Sequence, residues 1–128
     1  MPLTMVDASV VDFAAVFQKF KADSPRKKFL LFLADKDPIS SLSWCPDCNV
    51  AEPVIYQKLA ASADEVAVLR AFVGDRPTWR SPVHPWRVDP LLKIRGVPTL
   101  IRWDGDAIAG RLEDYEAHVP RKIDALLE

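Results

Sequence analysis

The sequence predicts one α/β domain over residues 1–128, with a central mixed β-sheet flanked by helices in the order βαβαβαββα. Three observations lead there. Residues 29–34 (Phe-Leu-Leu-Phe-Leu-Ala) form a continuous apolar run, the pattern of a strand covered on both faces. Segments with apolar residues at three- and four-residue spacing precede and follow it, as helices between strands do. Near the C-terminus, two strand-like runs flank Asp104-Gly105-Asp106, a hairpin turn signal.

In chain order, residues 3–6 give a short first strand. A helix is read from Asp7 or Ser9, with Val10, Phe13, Val16, Phe17 and Phe20 as its apolar face and Ser24-Pro25 ending it. The strand 29–34 follows, then a polar loop, 35–43. After the cysteine motif, Val50, Ala51, Val54, Ile55 and Leu59 mark a second helix. Pro53 inside it removes a backbone donor and is expected to kink it. Residues 66–73 are a second apolar strand, rich in valine. The stretch 74–87, with its prolines and tryptophans, reads as a long loop, followed by a short helical stretch near residues 88–93. Residues 97–103 and 107–111 form the hairpin strands. Residues 112–127 are helical in pattern, split or restarted at Pro120.

With 49% apolar residues, the chain can build a core of normal size without disulfide staples or a structural metal. Seventeen basic against eighteen acidic residues leave a formal charge of −1. That balance gives no electrostatic reason to expect a nucleic acid or an anionic membrane as partner. Arg76, Arg80 and Arg87 stand among Trp79 and Trp86, but one short loop in a near-neutral chain does not make a nucleic-acid surface. The tryptophans read as cover for the core, and the arginines as solvated or as meeting an anionic group of a substrate. Asp7 and Asp12 interrupt the first residues, which lack the pattern of a secretion leader. No apolar run is long enough to span a membrane. A cytoplasmic monomer is the expectation.

Cys45 and Cys48 are the two cysteines. A secreted domain held by bridges spreads its cysteines along the chain, so two neighbouring thiols suggest a reducing compartment and a chemical role. At i and i+3 of a helix start they share a face and can close a small disulfide ring. Cys45 would meet the unpaired N–H groups and positive dipole end of the helix, which stabilise a thiolate. Cys48 would lie one turn in. Position therefore makes Cys45 the nucleophile and Cys48 the resolving thiol. A zinc site would need two further ligands, and the spacing of His84 and His118 matches no local ligand pair, so no metal is expected. Pro98, in Val97-Pro98-Thr99, opens a strand. It is either a plain strand-initiating proline or a cis-proline that brings its loop against the cysteines and leaves the Val97 backbone free to pair with an extended substrate.

On these motifs the chain resembles the thioredoxin superfamily over essentially its whole length. The strand 29–34, Trp44-Cys45-Pro46-Asp47-Cys48, Pro53, Gly96-Val97-Pro98-Thr99 and the Asp104-Gly105 hairpin fall in the family's order. Within it, the chain is most similar to the 14-kDa thioredoxin-related (Clot-like) group. That likeness rests on the same cysteine motif, Ala51-Glu52-Pro53-Val54, the extended loop before the motif, and Gly74-Asp75-Arg76-Pro77-Thr78-Trp79. The resemblance implies a thioredoxin fold and a cytosolic disulfide reductase acting on protein disulfides, nitrosothiols or small disulfides such as cystine. It implies no bound cofactor, with electrons coming from NADPH through thioredoxin reductase as partner. It also favours cis-Pro98.

Two departures from ordinary thioredoxin stand out. Pro46-Asp47 replaces Gly-Pro between the cysteines. Asp47 suits the helix dipole but opposes a second negative charge on Cys45, and the sequence leaves the net sign open. The buried aspartate that precedes the thioredoxin motif has no counterpart in residues 29–33. Asp47 and Glu52 are the nearest acids to take its place, although Glu52 reads as a solvated helix residue. The loop 35–43 is either a tolerated insertion or a wall narrowing access to Cys45, and the group's restricted substrate range favours the wall. An alternative function is a non-catalytic redox-sensing or protein-binding module that uses the same pair.

Overall fold

The apolar run at residues 29–34 supplies the middle of the sheet. In the computed structural model, which describes residues 3–23 and 26–128, strand β2 (Lys27–Leu33) pairs parallel with β3 (Val66–Phe72) and antiparallel with β4 (Thr99–Asp104). Strand β1 (Leu3–Ser9) lies parallel to β3, and β5 (Ala107–Glu113) lies antiparallel to β4, giving the order β1-β3-β2-β4-β5. Phe29 through Leu33 are fully buried. Complete burial of each such side chain contributes roughly 1.5–3 kcal/mol, which is why this strand takes the centre.

Alternation along β2 assigns the helical layers. Phe32 meets Phe13 of helix α1 (Phe13–Ala22) at 6.0 Å between rings, and Trp86 at 5.2 Å. On the same face, Lys28 donates to the carbonyls of Lys21 and Asp23 and so caps the end of α1. The opposite face carries helix α2 (Pro46–Ala60), which runs through Pro53, and helix α5 (Pro120–Leu127). Arg102 of β4, opposite Phe29, reaches the Leu126 carbonyl of α5. The hairpin turns at Gly105, whose φ of 63° lies in the left-handed region.

Several boundaries differ from the sequence reading. The first strand extends to Ser9, and α1 starts only at Phe13, rather than at Asp7 or Ser9. Backbone pairing with β3 continues through Ser9↔Phe72, and Arg70 clamps Asp7 with two bonds of 2.7 and 2.9 Å. Those tertiary bonds outweigh a local capping signal. Ser24-Pro25, read as the end of this helix, lies outside the described residues. The stretch 74–87 is a pair of one-turn helices, α3 (Arg76–Arg80) and α4 (Pro85–Val88). Asp75 and His84 cap them, accepting from Thr78 N and Trp86 N, with proline in each first turn. The helix expected near residues 88–93 ends at Val88. Asp89 is extended before Pro90, and its carboxylate takes the Leu91 and Leu92 N–H groups instead. Val97 and Pro98 precede β4 rather than belonging to it. Residues 112 and 113 complete β5, a 3-10 helix spans Asp114–His118, and Pro120 restarts the chain as α5.

Candidate active site

Helix α2 begins at the cysteines for local reasons. Pro46 at the first helical position has its backbone preset for a helix and lacks only an N–H that would have had no partner. Cys45 is the N-cap residue: its Sγ accepts from Cys48 N at 3.3 Å, and its carbonyl accepts from Cys48 N and Asn49 N. Ser43 holds Cys45 from the other side, its hydroxyl accepting from Cys45 N at 3.0 Å. The Asn49 side chain grips Ser43 at both backbone groups, at 2.9 and 3.0 Å. Both thiols are free, with Cys45 7% exposed and Cys48 fully buried.

This geometry makes the two sulfurs unlike. The Cys45 thiol is lowered to about 7 from its ordinary 9. The leading cause is the hydrogen bond from the Cys48 thiol, joined by the Cys48 and Asp47 N–H groups, while burial and the Asp47 charge oppose it. The Asp47 charge, whose net effect the sequence left open, opposes the thiolate, and the hydrogen bond from Cys48 outweighs it. Cys48 is raised well above 9, because it gives its proton to Cys45 and is desolvated, with the Glu52 charge adding to the rise.

The loop bearing Pro98 closes over this pair. The Val97–Pro98 peptide bond is cis, and the Val97 carbonyl lies 3.5 Å from Cys45 Sγ as an acceptor for the thiol. The Val97 N–H has no hydrogen-bond partner among the described residues. Trp44 is half-buried, with Nε1 donating to the Gly74 carbonyl at 3.0 Å and its own carbonyl accepting from Arg76 at 2.9 Å. Beside Cys45 is a cavity of about 320 Å³, lined by Trp44, Pro46, Arg76, Arg80, Val97 and Asp114 among others.

Several of these groups escaped the sequence reading. Asp114 reaches the rim with φ 54°, a left-handed conformation unusual for a non-glycine residue. A Cβ at Gly96 would fall 2.6 Å from its carboxylate. No local pattern marks an aspartate sixty-nine positions from Cys45. Ser43 and Asn49 show only as ordinary polar residues near a helix start, where capping types are common. The loop 35–43 borders a separate cleft on Trp44, together with Asp75, while the Cys45 cavity takes its wall from α3.

Two further polar side chains near the site are buried. His84 uses both ring nitrogens, with Nε2 at 2.9 Å from the Val73 carbonyl and Nδ1 accepting from Trp86 N, and burial lowers its basicity. It packs edge-on to Trp79, a structural histidine. Glu52, read as solvated, is 6% exposed instead. Lys36 Nζ lies 2.9 Å from its Oε1, and Tyr56 donates to the same oxygen at 2.8 Å. A lysine from the loop and a tyrosine one turn on make that burial tolerable.

Comparison with known proteins agrees with this architecture. The family model described as thioredoxin domain-containing protein 17-like, thioredoxin domain, matches residues 9–128. The thioredoxin-like protein Clot of Arabidopsis thaliana is 53% identical over 130 residues, covering 99% of this chain and 97% of its own length. Its namesake in Oryza sativa subsp. japonica is 55% identical over 135 residues, with the same coverage, 99% and 97%. Thioredoxin domain-containing protein 17 of Homo sapiens is 31% identical over 97 residues, 76% of each chain. Among solved structures, the long form of thioredoxin f from spinach chloroplast superposes with a TM-score of 0.62 over 98% of this chain and 88% of that one, at 15% identity, a likeness of fold. The chain therefore belongs to the thioredoxin domain-containing protein 17-like family and has the thioredoxin fold.

Proposed function

We propose that this protein is a disulfide reductase that works by thiol–disulfide exchange through Cys45 and Cys48. The observation that carries the reading is the Cys45 thiol itself, lowered to about 7 at the start of α2 and open to a cavity, with a buried protonated thiol behind it. The Cys45 thiolate attacks one sulfur of a substrate disulfide, forming a mixed disulfide and expelling the other half as thiolate. Cys48 then attacks Cys45 Sγ, closing the Cys45–Cys48 disulfide and releasing the second thiol. Two electrons pass to the substrate. Thioredoxin reductase, drawing on NADPH, returns them, so the chain itself needs no bound cofactor. The unpartnered Val97 N–H is suited to pair with the backbone of an extended substrate. Protein disulfides and small disulfides such as cystine are the proposed substrates, and the cytoplasm the proposed compartment. Among the described residues, no helix is long and apolar enough to cross a membrane.

The test couples the protein to thioredoxin reductase and follows NADPH consumption with cystine. Turnover that disappears in Cys45→Ser is expected. Cys48→Ser should instead accumulate a mixed disulfide on Cys45, visible by intact mass. An adduct trapped by Cys45→Ser would reverse the two roles, and no turnover with any disulfide would leave the pair as a non-catalytic switch.

A further inference from the structure

Closing the Cys45–Cys48 disulfide requires Cys48 to lose a proton, and this thiol is fully buried and held in its protonated form. Bulk water does not reach it, so an internal acceptor is needed. Glu52 stands one helical turn beyond Cys48 on α2, and residues at i and i+4 share a face. It is buried, and its charge bears on the Cys48 thiol. Lys36 and Tyr56 both bind Oε1, while Oε2 has no hydrogen-bond partner among the described residues. With Oε1 taken by Lys36 and Tyr56, Oε2 is the oxygen left to accept a proton.

We propose that Glu52 accepts the Cys48 proton as that thiol resolves the mixed disulfide, with Lys36 and Tyr56 holding the carboxylate for the task. The proposal rests on the exchange chemistry put forward above. In the step, the Cys48 S–H proton passes to Glu52 while the sulfur lone pair attacks Cys45 Sγ. The bond between Cys45 and the substrate sulfur breaks, its electron pair leaves with the substrate, and the departing thiolate is protonated by water. Glu52 then releases its proton to solvent water beside Lys36, whose side chain is 35% exposed. When the reductase later reopens the Cys45–Cys48 disulfide, the same carboxyl returns a proton to Cys48.

The surroundings favour Glu52 over other charges near α2. Arg70 of β3 binds the Tyr56 hydroxyl at 3.3 Å and Asp7 of β1, which fixes Tyr56 as a donor toward Glu52. On the side of α5 and the 3-10 helix, Lys58 pairs with Asp124 and Lys122 with Glu116. Asp47 acts on Cys45, and Asp114 lies in the field of Asp47 at the rim. The loop 35–43 thus contributes Lys36 to the interior of the site, a role distinct from a wall.

A single-turnover reaction separates the two steps without any reductase. The probe is a symmetric aromatic disulfide with a coloured nitrothiophenolate leaving group. Attack by Cys45 releases the first equivalent, and resolution by Cys48 releases the second. In Glu52→Gln the first release should keep the wild-type rate and pH midpoint, and the second should slow by about 10²-fold near neutrality. It should recover as rising pH lets hydroxide do the deprotonation. Glu52→Asp, which keeps an acid at the position, should restore part of the second phase, and Lys36→Met should slow that phase alone. An unchanged second phase in Glu52→Gln overturns the proposal. So does equal slowing of both phases, or a loss of fold that Glu52→Asp shares without any selective effect on the second phase. If the wild type releases no first equivalent, the disulfide-exchange reading fails before Glu52 is tested.

Discussion

At pH 7 about half of Cys45 is thiolate, because its ionisation is lowered to about 7 while an unperturbed thiol stays protonated. Alkylation of the reduced protein by iodoacetamide should therefore rise to half its maximal rate near pH 7 and fall about tenfold for each pH unit below. The causes can be separated by substitution. Cys48→Ala removes the leading hydrogen bond and should move the midpoint up, whereas Asp47→Asn removes an opposing charge and should move it down. A midpoint unmoved by Cys48→Ala would show that the helix start alone activates Cys45. Trp44 adjoins the nucleophile and is held by Gly74 and Arg76, so closing the disulfide should change its fluorescence. Trp44→Phe should abolish that redox-dependent change against the background of the other three tryptophans.

Single elements divide the labour around the cysteines, and α3 faces the Cys45 cavity. Arg80 lines the Cys45 cavity and makes no ion pair among the described residues, while Arg76 is committed to the Trp44 carbonyl. Arg80→Ala should lower kcat/KM for disulfides carrying carboxylates by about fivefold, in keeping with an exposed charge, and leave neutral disulfides unchanged. Equal effects on both would remove Arg80 from substrate choice. The loop 35–43 borders a different cleft, so excising residues 38–42 while keeping Lys36 and Ser43 should leave the ratio of insulin to cystine efficiencies where it was. Gly74 joins these parts, accepting from Trp44 Nε1 and exchanging two hydrogen bonds with Asp35. Its φ of 100° and a Cβ position 2.9 Å from Thr78 Cγ2 leave no room for a side chain. Gly74→Ala should cost about 1–2 kcal/mol in urea unfolding and broaden the Trp44 environment.

Across the whole molecule, the sheet carries the stability and the helix starts carry the chemistry. Phe32 is fully buried between α1 and Trp86, and Phe32→Ala should lose about 3–5 kcal/mol, lowering the urea midpoint at constant slope. The α/β class, the central strand, the hairpin at Gly105 and the restart at Pro120 were legible in the sequence. Each is written in a local pattern: an unbroken apolar run, a turn residue, a missing N–H. Cys45 and Cys48 were legible for the same reason, since an i, i+3 spacing at a helix start already fixes their unequal positions. Other features exist only once the sheet order is set. The strand β1 runs on to Ser9 because β3 is there to pair with it, and Asp114, Arg80 and Val97 meet at Cys45 although nothing in their own neighbourhoods points to it. Glu52 is the sharpest case. A glutamate on a helix has the same local pattern whether water or Lys36 faces it, so sequence determined that an acid stood one turn from Cys48, and only the packing of loop against helix decided that it is buried and paired.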